Sequence, residues 1–171
     1  MLTINERLLE PLPATARLVL PFELRQRSRQ RCRLNTGEEV AVVLERGTVL
    51  RGGDRLRAED GRVIEVVAAP ETVSVVRASD PWRLARAAYH LGNRHIPVQV
   101  GNGWLRYLHD HVLDDMVHGL GFALDIQVQP FEPEGGAYAH SGHGNGHDTG
   151  SRHDHTPGYG NGHSHGHHHA P

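Results

Sequence analysis

The stretch over residues 89–116 reads Y-H-L-G-N-R-H-I-P-V-Q-V-G-N-G-W-L-R-Y-L-H-D-H-V-L-D-D-M. It contains a helix end at Gly92, two short apolar runs on either side of Gly101-Asn102-Gly103, and a helix start at Asp110. Glycine and asparagine between two such runs are typical of a β-hairpin. The stretch therefore predicts a helix, two strands and a second helix in that order.

The residues on either side of this stretch complete the pattern. V-S-V-V-R-A before it and A-L-D-I-Q-V-Q-P-F after it read as strands, and Asp80 with Pro81 marks the start of the first helix. Apolar residues recur at helical spacing in both helices, at Leu84, Ala88 and Leu91 and then at Leu113, Met116, Val117 and Leu120. The order βαββαβ predicts a ferredoxin-like domain over residues 72–133, with both helices on one face of the sheet and the other face open to a partner.

Residues 1–69 carry signals for strands only. The segments L-T-I-N-E-R-L-L, A-R-L-V-L-P-F, R-C-R-L, V-A-V-V-L and V-I-E-V-V are separated by glycine-containing turns. They predict a small all-β N-terminal domain, which a linker over residues 68–72 connects to the second domain. The fold class is therefore α+β.

The last segment, residues 134–171, consists mostly of Gly, His, Ser, Asn and Asp, with few apolar residues. Such a composition cannot bury enough apolar surface to offset the entropy of the chain, so we expect a disordered, histidine-rich tail.

Arginine occupies every second position between residues 25 and 33: Arg25, Arg27, Arg29, Arg31 and Arg33. In a strand all five side chains would share one face. That face is either a solvated surface balanced by nearby glutamates or a surface that docks a protein. Nucleic acid is disfavoured because no aromatic residues are interleaved to stack on bases.

Charge and composition exclude several functions. The 18 basic residues are all arginine and face 20 acidic residues, so no net field attracts nucleic acid or a membrane. The absence of lysine excludes a P-loop, and the single cysteine, Cys32, completes neither a disulfide nor a cysteine-based zinc site. No segment reaches the roughly 20 apolar residues that span a bilayer, and no signal peptide is evident, so we expect a cytoplasmic protein.

Imidazole is the recurring chemical group of the chain, which has 15 histidines. In His109-Asp110-His111 the two imidazoles would lie on one face about 6.5 to 7 Å apart if the backbone is extended, close enough to converge on one ion. Alternatively they are two solvated histidines beside a capping aspartate. A binuclear metallohydrolase would need H-x-H-x-D-H, and Leu113 and Asp114 stand at its last two positions.

The remaining folded histidines lie at or beyond helix ends. His95 follows Gly92 on a loop, where it is either merely exposed or, in a two-fold homodimer, present twice at the axis as a shared metal site. His90 and His118 fall in last helical turns and favour the negative end of the helix dipole.

The tail adds many overlapping weak sites with ten histidines: His140, His143, His147, His153, His155, His163, His165, His167, His168 and His169. An expression tag is disfavoured, because the last three histidines lie within a long glycine-rich context.

Four stretches carry a family resemblance: R-G-T-V-L-R-G-G-D, L-G-N-R-H-I-P-V-Q-V, Y-L-H-D-H-V-L-D-D-M, and P-F-E-P-E-G-G-A-Y before the histidine-rich tail. Together they resemble the UreE family of urease accessory proteins, which are nickel metallochaperones. The resemblance implies a β-rich lobe similar to chaperone peptide-binding modules and a ferredoxin-like metal-binding lobe. It also implies a homodimer that hands Ni(II) to the urease apoprotein through other accessory proteins.

Residue by residue, the resemblance implies that His95 is the interface ligand and that His109 and His111 are a peripheral pair. Imidazole also suits Zn(II) and Cu(II), so nickel as the transported cargo is an expectation of the resemblance rather than of the ligand type. A metal storage or detoxification protein uses the same ligands and is the main alternative. A histidine-based metallohydrolase is a remote one.

Overall fold

Two β-sheets organise the computed structural model, which describes residues 1–135. The first sheet has six strands and the second has four. The elements in chain order are β1 (Leu2–Leu8), β2 (Ala16–Leu20), α1 (Phe22–Arg25), β3 (Arg29–Arg33), β4 (Glu39–Val43), β5 (Arg55–Ala58), β6 (Val63–Ala68), β7 (Pro70–Arg77), α2 (Pro81–Gly92), β8 (Gln99–Gly101), β9 (Trp104–Leu108), α3 (His111–Gly119) and β10 (Leu124–Pro130).

The first sheet has the strand order β2-β6-β5-β1-β4-β3. Its β1–β4 and β2–β6 pairs are parallel, and its other pairs are antiparallel. Alternate residues of the strands point into one apolar core, as in β6, where Ile64 and Val66 are fully buried between half-buried neighbours.

Two elements of this lobe were not predicted. Strand β5 reads R-L-R-A, in which arginines alternate with the buried Leu56 and Ala58, and its short length and charge conceal it in the sequence. The one-turn helix α1 follows Pro21 and buries Phe22 and Arg25. The prediction that this lobe contains strands only is therefore wrong at α1.

The prediction that five arginines share one strand face is wrong for the first two. Strand β3 begins at Arg29, so only Arg29, Arg31 and Arg33 alternate on its exposed face. Arg25 lies in α1 and is fully buried, because the chain turns after Pro21 to place Phe22 and Arg25 inside.

The predicted linker over residues 68–72 is also wrong, since only Ala69 separates β6 from β7. Pro70 is the first residue of β7, a strand position that needs no ladder hydrogen bond from its missing N–H.

The second sheet has the strand order β10-β7-β9-β8, and all of its pairs are antiparallel. Its elements follow the order βαββαβ. The predicted helix caps are confirmed: Asp80 accepts from the Trp82 N–H, and Asp110 accepts from the N–H groups of Val112 and Leu113. The α+β class is likewise confirmed.

Both helices pack on one face of this sheet around Val76, Leu105 and Tyr107, to which they contribute Ala87, Leu91 and Val117. The opposite face was predicted to be open, but Val73 and Val75 on it are covered by Phe22 and Phe131. The two phenylalanine rings meet edge to face with centroids 5.7 Å apart.

The segment after β10 holds the two sheets together. Glu132 Oε1 accepts from the Gly52 N–H at 2.7 Å and lies 2.9 Å from Arg25 Nη1. Arg51 donates to the Pro133 carbonyl at 2.6 Å. A Cβ at residue 52 would lie 2.9 Å from Glu132 Oε1, so a side chain there would displace this carboxylate.

None of the helices in residues 1–135 is long and apolar enough to cross a lipid bilayer. The prediction of a disordered tail concerns residues that, from 136 onward, lie outside the described part of the chain.

Candidate metal centre

His109 lies between the end of β9 and the start of α3 and is held through one ring nitrogen. Its Nδ1 is 3.0 Å from Asp114 Oδ2 and 3.1 Å from Ser74 Oγ. A carboxylate only accepts hydrogen bonds, so the proton of a neutral His109 ring lies on Nδ1. The second nitrogen, Nε2, is then the one available to a ligand, and the side chain is 37% exposed.

Asp114 is buried and held from a second side by Tyr107, whose hydroxyl donates to Oδ1 at 2.7 Å. Burial, followed by the adjacent Asp114 carboxylate, raises the pKa of Tyr107, so its hydroxyl keeps its proton and remains a donor. A carboxylate that orients a histidine in this way is the usual outer partner of a metal-binding imidazole.

His111 is the first residue of α3 and is exposed. The residue before it, Asp110, is extended at φ −151° and ψ 124° and uses its carboxylate as the helix cap. The backbone is therefore extended between the two histidines, as convergence on one ion requires. The Asp110 carboxylate, however, is already bonded to the N–H groups at the start of α3.

His95 has an unusual backbone conformation. Its φ is +57°, the only positive value for a non-glycine residue in the described part of the chain. The His95 N–H bonds the Gly92 carbonyl at 2.9 Å, and the Ile96 N–H bonds the Leu91 carbonyl at 3.2 Å. This is a Schellman motif that ends α2, with His95 at the position where glycine is preferred. Its imidazole is exposed.

A strained non-glycine residue costs about 1 kcal/mol or more and persists where something else selects it. The hydrogen bonds of this turn involve only the His95 backbone, and glycine would provide them without strain. Nothing in the backbone of this turn therefore selects histidine at this position.

The antiparallel hairpin places the folded candidate ligands at one end of the second sheet. Gln99 opens β8 opposite Arg106 near the end of β9, so the chain that leads from His95 into β8 lies at the end where β9 leads to His109. The C-terminal end of β10 is at the same end, since Pro130 pairs with Pro70 and the His109 N–H bonds the Thr72 carbonyl at 3.0 Å.

The described part of the chain also ends here. The Glu134 N–H donates to the Val98 carbonyl at 2.8 Å, three residues beyond His95. His140 and His143 lie outside the described residues.

In residues 1–135, no three or more histidine, cysteine, aspartate or glutamate side chains are grouped closely enough to hold a metal ion. His90 and His118 lie in the last turns of α2 and α3, as predicted. Burial raises the pKa of the Cys32 thiol, which packs against the core of the first lobe and is not a ready thiolate ligand.

The partners of His109 were missed in the sequence. Asp114 stands three residues before Val117, and both are buried residues of α3. A carboxylate on the buried side of a helix needs a hydrogen-bonding partner, and that was the available signal. The sequence contains no comparable signal for Ser74 or Tyr107 as partners of His109 or Asp114.

The fold and the site define a two-lobed α+β protein that presents histidines at one end of its second sheet. The chain belongs to the UreE family of urease accessory proteins: the family's N-terminal domain model matches residues 5–69, and its C-terminal domain model matches residues 71–170.

Several relatives described as urease accessory protein UreE are similar over most of their length. The protein from Alkalilimnicola ehrlichii is 59% identical over 138 residues, covering 81% of this chain and 85% of the relative. The Enterobacter sp. (strain 638) protein is 52% identical over 84% of this chain and 95% of its own length. The Escherichia coli O157:H7 protein is 48% identical over 90% of this chain and its whole own length. The resemblance found in the sequence is thereby confirmed.

Proposed function

We propose that this chain is a nickel metallochaperone that delivers Ni(II) to the urease apoprotein while the urease active site is assembled, and that it is not itself an enzyme. The observation that carries the proposal is that His95, His109 and His111 lie at one end of the second sheet, where the histidine-rich segment begins. We take this βαββαβ lobe to be the ferredoxin-like metal-binding domain.

The proposal includes a homodimer in which His95 is shared. One imidazole is too few ligands for an ion, and the described part of a single chain offers no group of three. Two copies meeting at the ends of their α2 helices would contribute two His95 rings to one site. Sedimentation in the presence and absence of nickel tests this, and a monomer under both conditions contradicts it.

His109 is the better-organised peripheral ligand, because Asp114 and Ser74 hold its Nδ1 and leave Nε2 for the metal. His111 provides a second imidazole across the extended Asp110. The tail histidines, including His140 and His143, supply further ligands and collect metal. The described part of the chain ends close to the folded sites, because the Glu134 N–H bonds the Val98 carbonyl.

Nickel as the cargo follows from the family and not from the ligands, since an imidazole site binds Cu(II) more tightly than Ni(II) and also accepts Zn(II). The expected partners are the urease apoprotein and the other urease accessory proteins, in the cytoplasm, with neither nucleic acid nor a membrane involved. Storage of metal is the second candidate, favoured by the ten histidines of the tail.

Three variants separate delivery from storage when nickel stoichiometry by equilibrium dialysis is measured beside activation of urease apoprotein. His95→Gly removes the imidazole at a position that suits glycine, so we expect the fold and most bound nickel to remain while activation is lost. Removal of the residues after Tyr138 should lower stoichiometry more than activation. His109→Ala with His111→Ala should have an intermediate effect on both.

His90→Gln is the matched control, because His90 lies in the last turn of α2, five residues before His95, and its replacement is expected to affect neither measurement. If the tail deletion abolishes activation and His95→Gly leaves it intact, the delivery role assigned to His95 is wrong. If no variant affects activation although metal is lost, storage is the better description.

A further inference from the structure

The exposed edge of the first sheet is not used by the proposed metal sites. Strand β3 is the last strand of that sheet and pairs only with β4. Residues 25–33 contain five arginines and no acidic residue, in a chain whose net charge is −2. Edge strands expose unpaired backbone groups, so the chemistry of this edge determines what can pair with it.

The hydrogen bonds to β4 show which residues face the edge. The Leu44 N–H bonds the Ser28 carbonyl at 2.7 Å, and the Leu34 N–H bonds the Glu38 carbonyl at 2.9 Å. In an antiparallel pair, hydrogen-bonded residues alternate with residues whose N–H and C=O groups point away. Gln30 and Cys32 therefore bond β4, while Arg29, Arg31 and Arg33 direct their N–H and C=O groups outward.

The same three residues carry the exposed charge. Their side chains all lie on the solvent-exposed face of β3. They stand opposite Val43, Ala41 and Glu39 of β4. Arg33 already makes a cross-strand ion pair with Glu39 at 2.9 Å. Arg29 and Arg31 make no ion pair within residues 1–135, so their charges are free to meet an incoming carboxylate on the other side of the strand.

An open groove of about 700 Å³ continues this basic surface at the start of β3, with Arg27, Arg29 and Arg46 among its lining residues. Arg27 is paired with Glu23, and Glu45 also lines the groove. The groove lengthens the surface available to an extended chain beyond the five residues of β3.

A second copy of β3 is a poor occupant, because an antiparallel pair of these strands sets arginine near arginine, and like charges across a pair are unfavourable. Nucleic acid would find cations here but no aromatic side chain to stack on its bases. A strand with carboxylates at every second residue satisfies both the outward backbone groups and the arginines.

We propose that β3 is a docking edge for an extended acidic segment of a partner protein, which adds as a strand and places carboxylates at alternate positions against Arg29, Arg31 and Arg33. The backbone contacts supply affinity that is independent of sequence, and the spacing of the arginines selects the partner. This surface lies on the first lobe and does not depend on the metal sites.

Peptide binding to the full-length protein tests the proposal. The probe is acetylated Glu-Thr-Glu-Val-Glu-Thr-Glu, and its comparison is Glu-Glu-Glu-Glu-Thr-Val-Thr, which has the same composition and charge. We expect the alternating peptide to bind about tenfold more tightly, because only its carboxylates match the register of β3. Equal affinity for the two peptides would overturn the proposed strand addition.

Charge reversal locates the site. Arg29→Glu with Arg31→Glu should weaken binding of the alternating peptide about tenfold or more. Arg17→Glu with Arg86→Glu makes the same change in net charge at exposed positions elsewhere and should leave affinity within about twofold. Equal losses in both double variants would mean that net charge alone attracts the peptide, and the proposal would be wrong.

Amide hydrogen exchange reports the register directly. Without peptide, the Gln30 and Cys32 amides should exchange slowly and those of Arg29 and Arg31 quickly; with peptide, the latter two should become protected. The slow amides of Gln30 and Cys32 also verify that β3 is folded in each variant. Unchanged Arg29 and Arg31 exchange at saturating peptide, or tighter binding of a single-stranded RNA with the same dependence on Arg29 and Arg31, would refute the proposal.

Discussion

The guanidinium of Arg25 and the carboxylate of Glu132 form an ion pair of 2.9 Å between Nη1 and Oε1, across 107 residues of chain, and join the first sheet to the segment after β10. Arg25 is fully buried, and its Nε also donates to the Leu20 carbonyl at 3.2 Å. Its Nη2 donates to the carbonyl of Phe131. This contact anchors residues 131 and 132, close to the end of the described part of the chain.

Replacing Arg25 should therefore destabilise the protein strongly. Arg25→Leu removes the buried cation beside Glu132, which keeps Arg51 and the Gly52 N–H, and takes the donor from the Phe131 carbonyl, which should lower the free energy of unfolding by about 2 to 4 kcal/mol. Arg27→Leu, two residues away, removes only an exposed pair with Glu23 and should change it by less than about 1 kcal/mol. Urea unfolding followed by circular dichroism measures both, and similar losses would contradict the role given to Arg25.

The backbone of His95 predicts an unusual order of stabilities. His95→Gly relieves the left-handed strain but adds entropy to the unfolded chain, so the free energy of unfolding should stay within about 1 kcal/mol of the wild type. His95→Val places a β-branched residue at positive φ and should cost about 1 to 2 kcal/mol. Denaturant midpoints test this order, which would be reversed if His95 adopted an ordinary backbone conformation.

The Asp114 carboxylate should control how His109 binds metal. Asp114→Asn keeps the size of the side chain but can turn its amide N–H₂ toward Nδ1, which favours the tautomer that blocks Nε2. We expect nickel affinity at His109 to fall about 10 to 100-fold. Broadening of the His109 ring signals by Ni(II) in NMR spectra measures the change.

Asp115 provides the control for that experiment, because it is adjacent and exposed. Asp115→Asn should leave the titration of the His109 signals unchanged. If Asp114→Asn and Asp115→Asn act alike, general loss of negative charge near the site explains the effect, and the specific contact does not.

The ion pairs of Arg62 predict an acid-sensitive contribution to stability. The hydrogen bond from the Arg62 side chain lowers the pKa of Glu38, and hydrogen bonds from the Arg62 backbone and side chain lower the pKa of Asp60. Because these pKa values are lower in the folded state, the stabilisation is present above the unfolded-state pKa values and is lost as pH falls through the folded ones.

Arg62→Gln should therefore lower the urea midpoint at about pH 6 and have a diminishing effect toward about pH 3. Both carboxylates are exposed at the surface, so the effect should be small. Arg46→Gln, at an exposed arginine outside the ion pairs of residues 1–135, should show no such dependence on pH. An Arg62→Gln effect that grows on acidification would show that the sign is wrong.

The helices and the hairpin of the second lobe could be predicted because their signals are local. Asp80 and Asp110 cap their helices through N–H groups two or three residues away, and Gly101-Asn102-Gly103 joins two adjacent strands. The histidines could likewise be identified as candidate ligands, because the ability of an imidazole to bind a metal is a property of the side chain and does not depend on distant residues. The family resemblance in the same stretches was sufficient to assign the chain to its family.

What those histidines contact was decided by the tertiary structure. Asp114 became the partner of His109 only because α3 folds back onto β9, where Tyr107 holds the same carboxylate. The strained φ of His95 likewise depends on Ile96 reaching the core of the lobe beside Leu91.

The clearest difference between the prediction from sequence and the tertiary structure lies in the alternating arginines. The pattern from Arg25 to Arg33 is compatible with one continuous strand, and local preference alone does not interrupt it. The chain instead turns at Pro21 because Phe22 packs with Phe131 and Val73, and Arg25 pairs with Glu132, all from distant parts of the sequence. The order of the residues sets which positions alternate, whereas burial against distant residues sets which of the arginines remain on the surface.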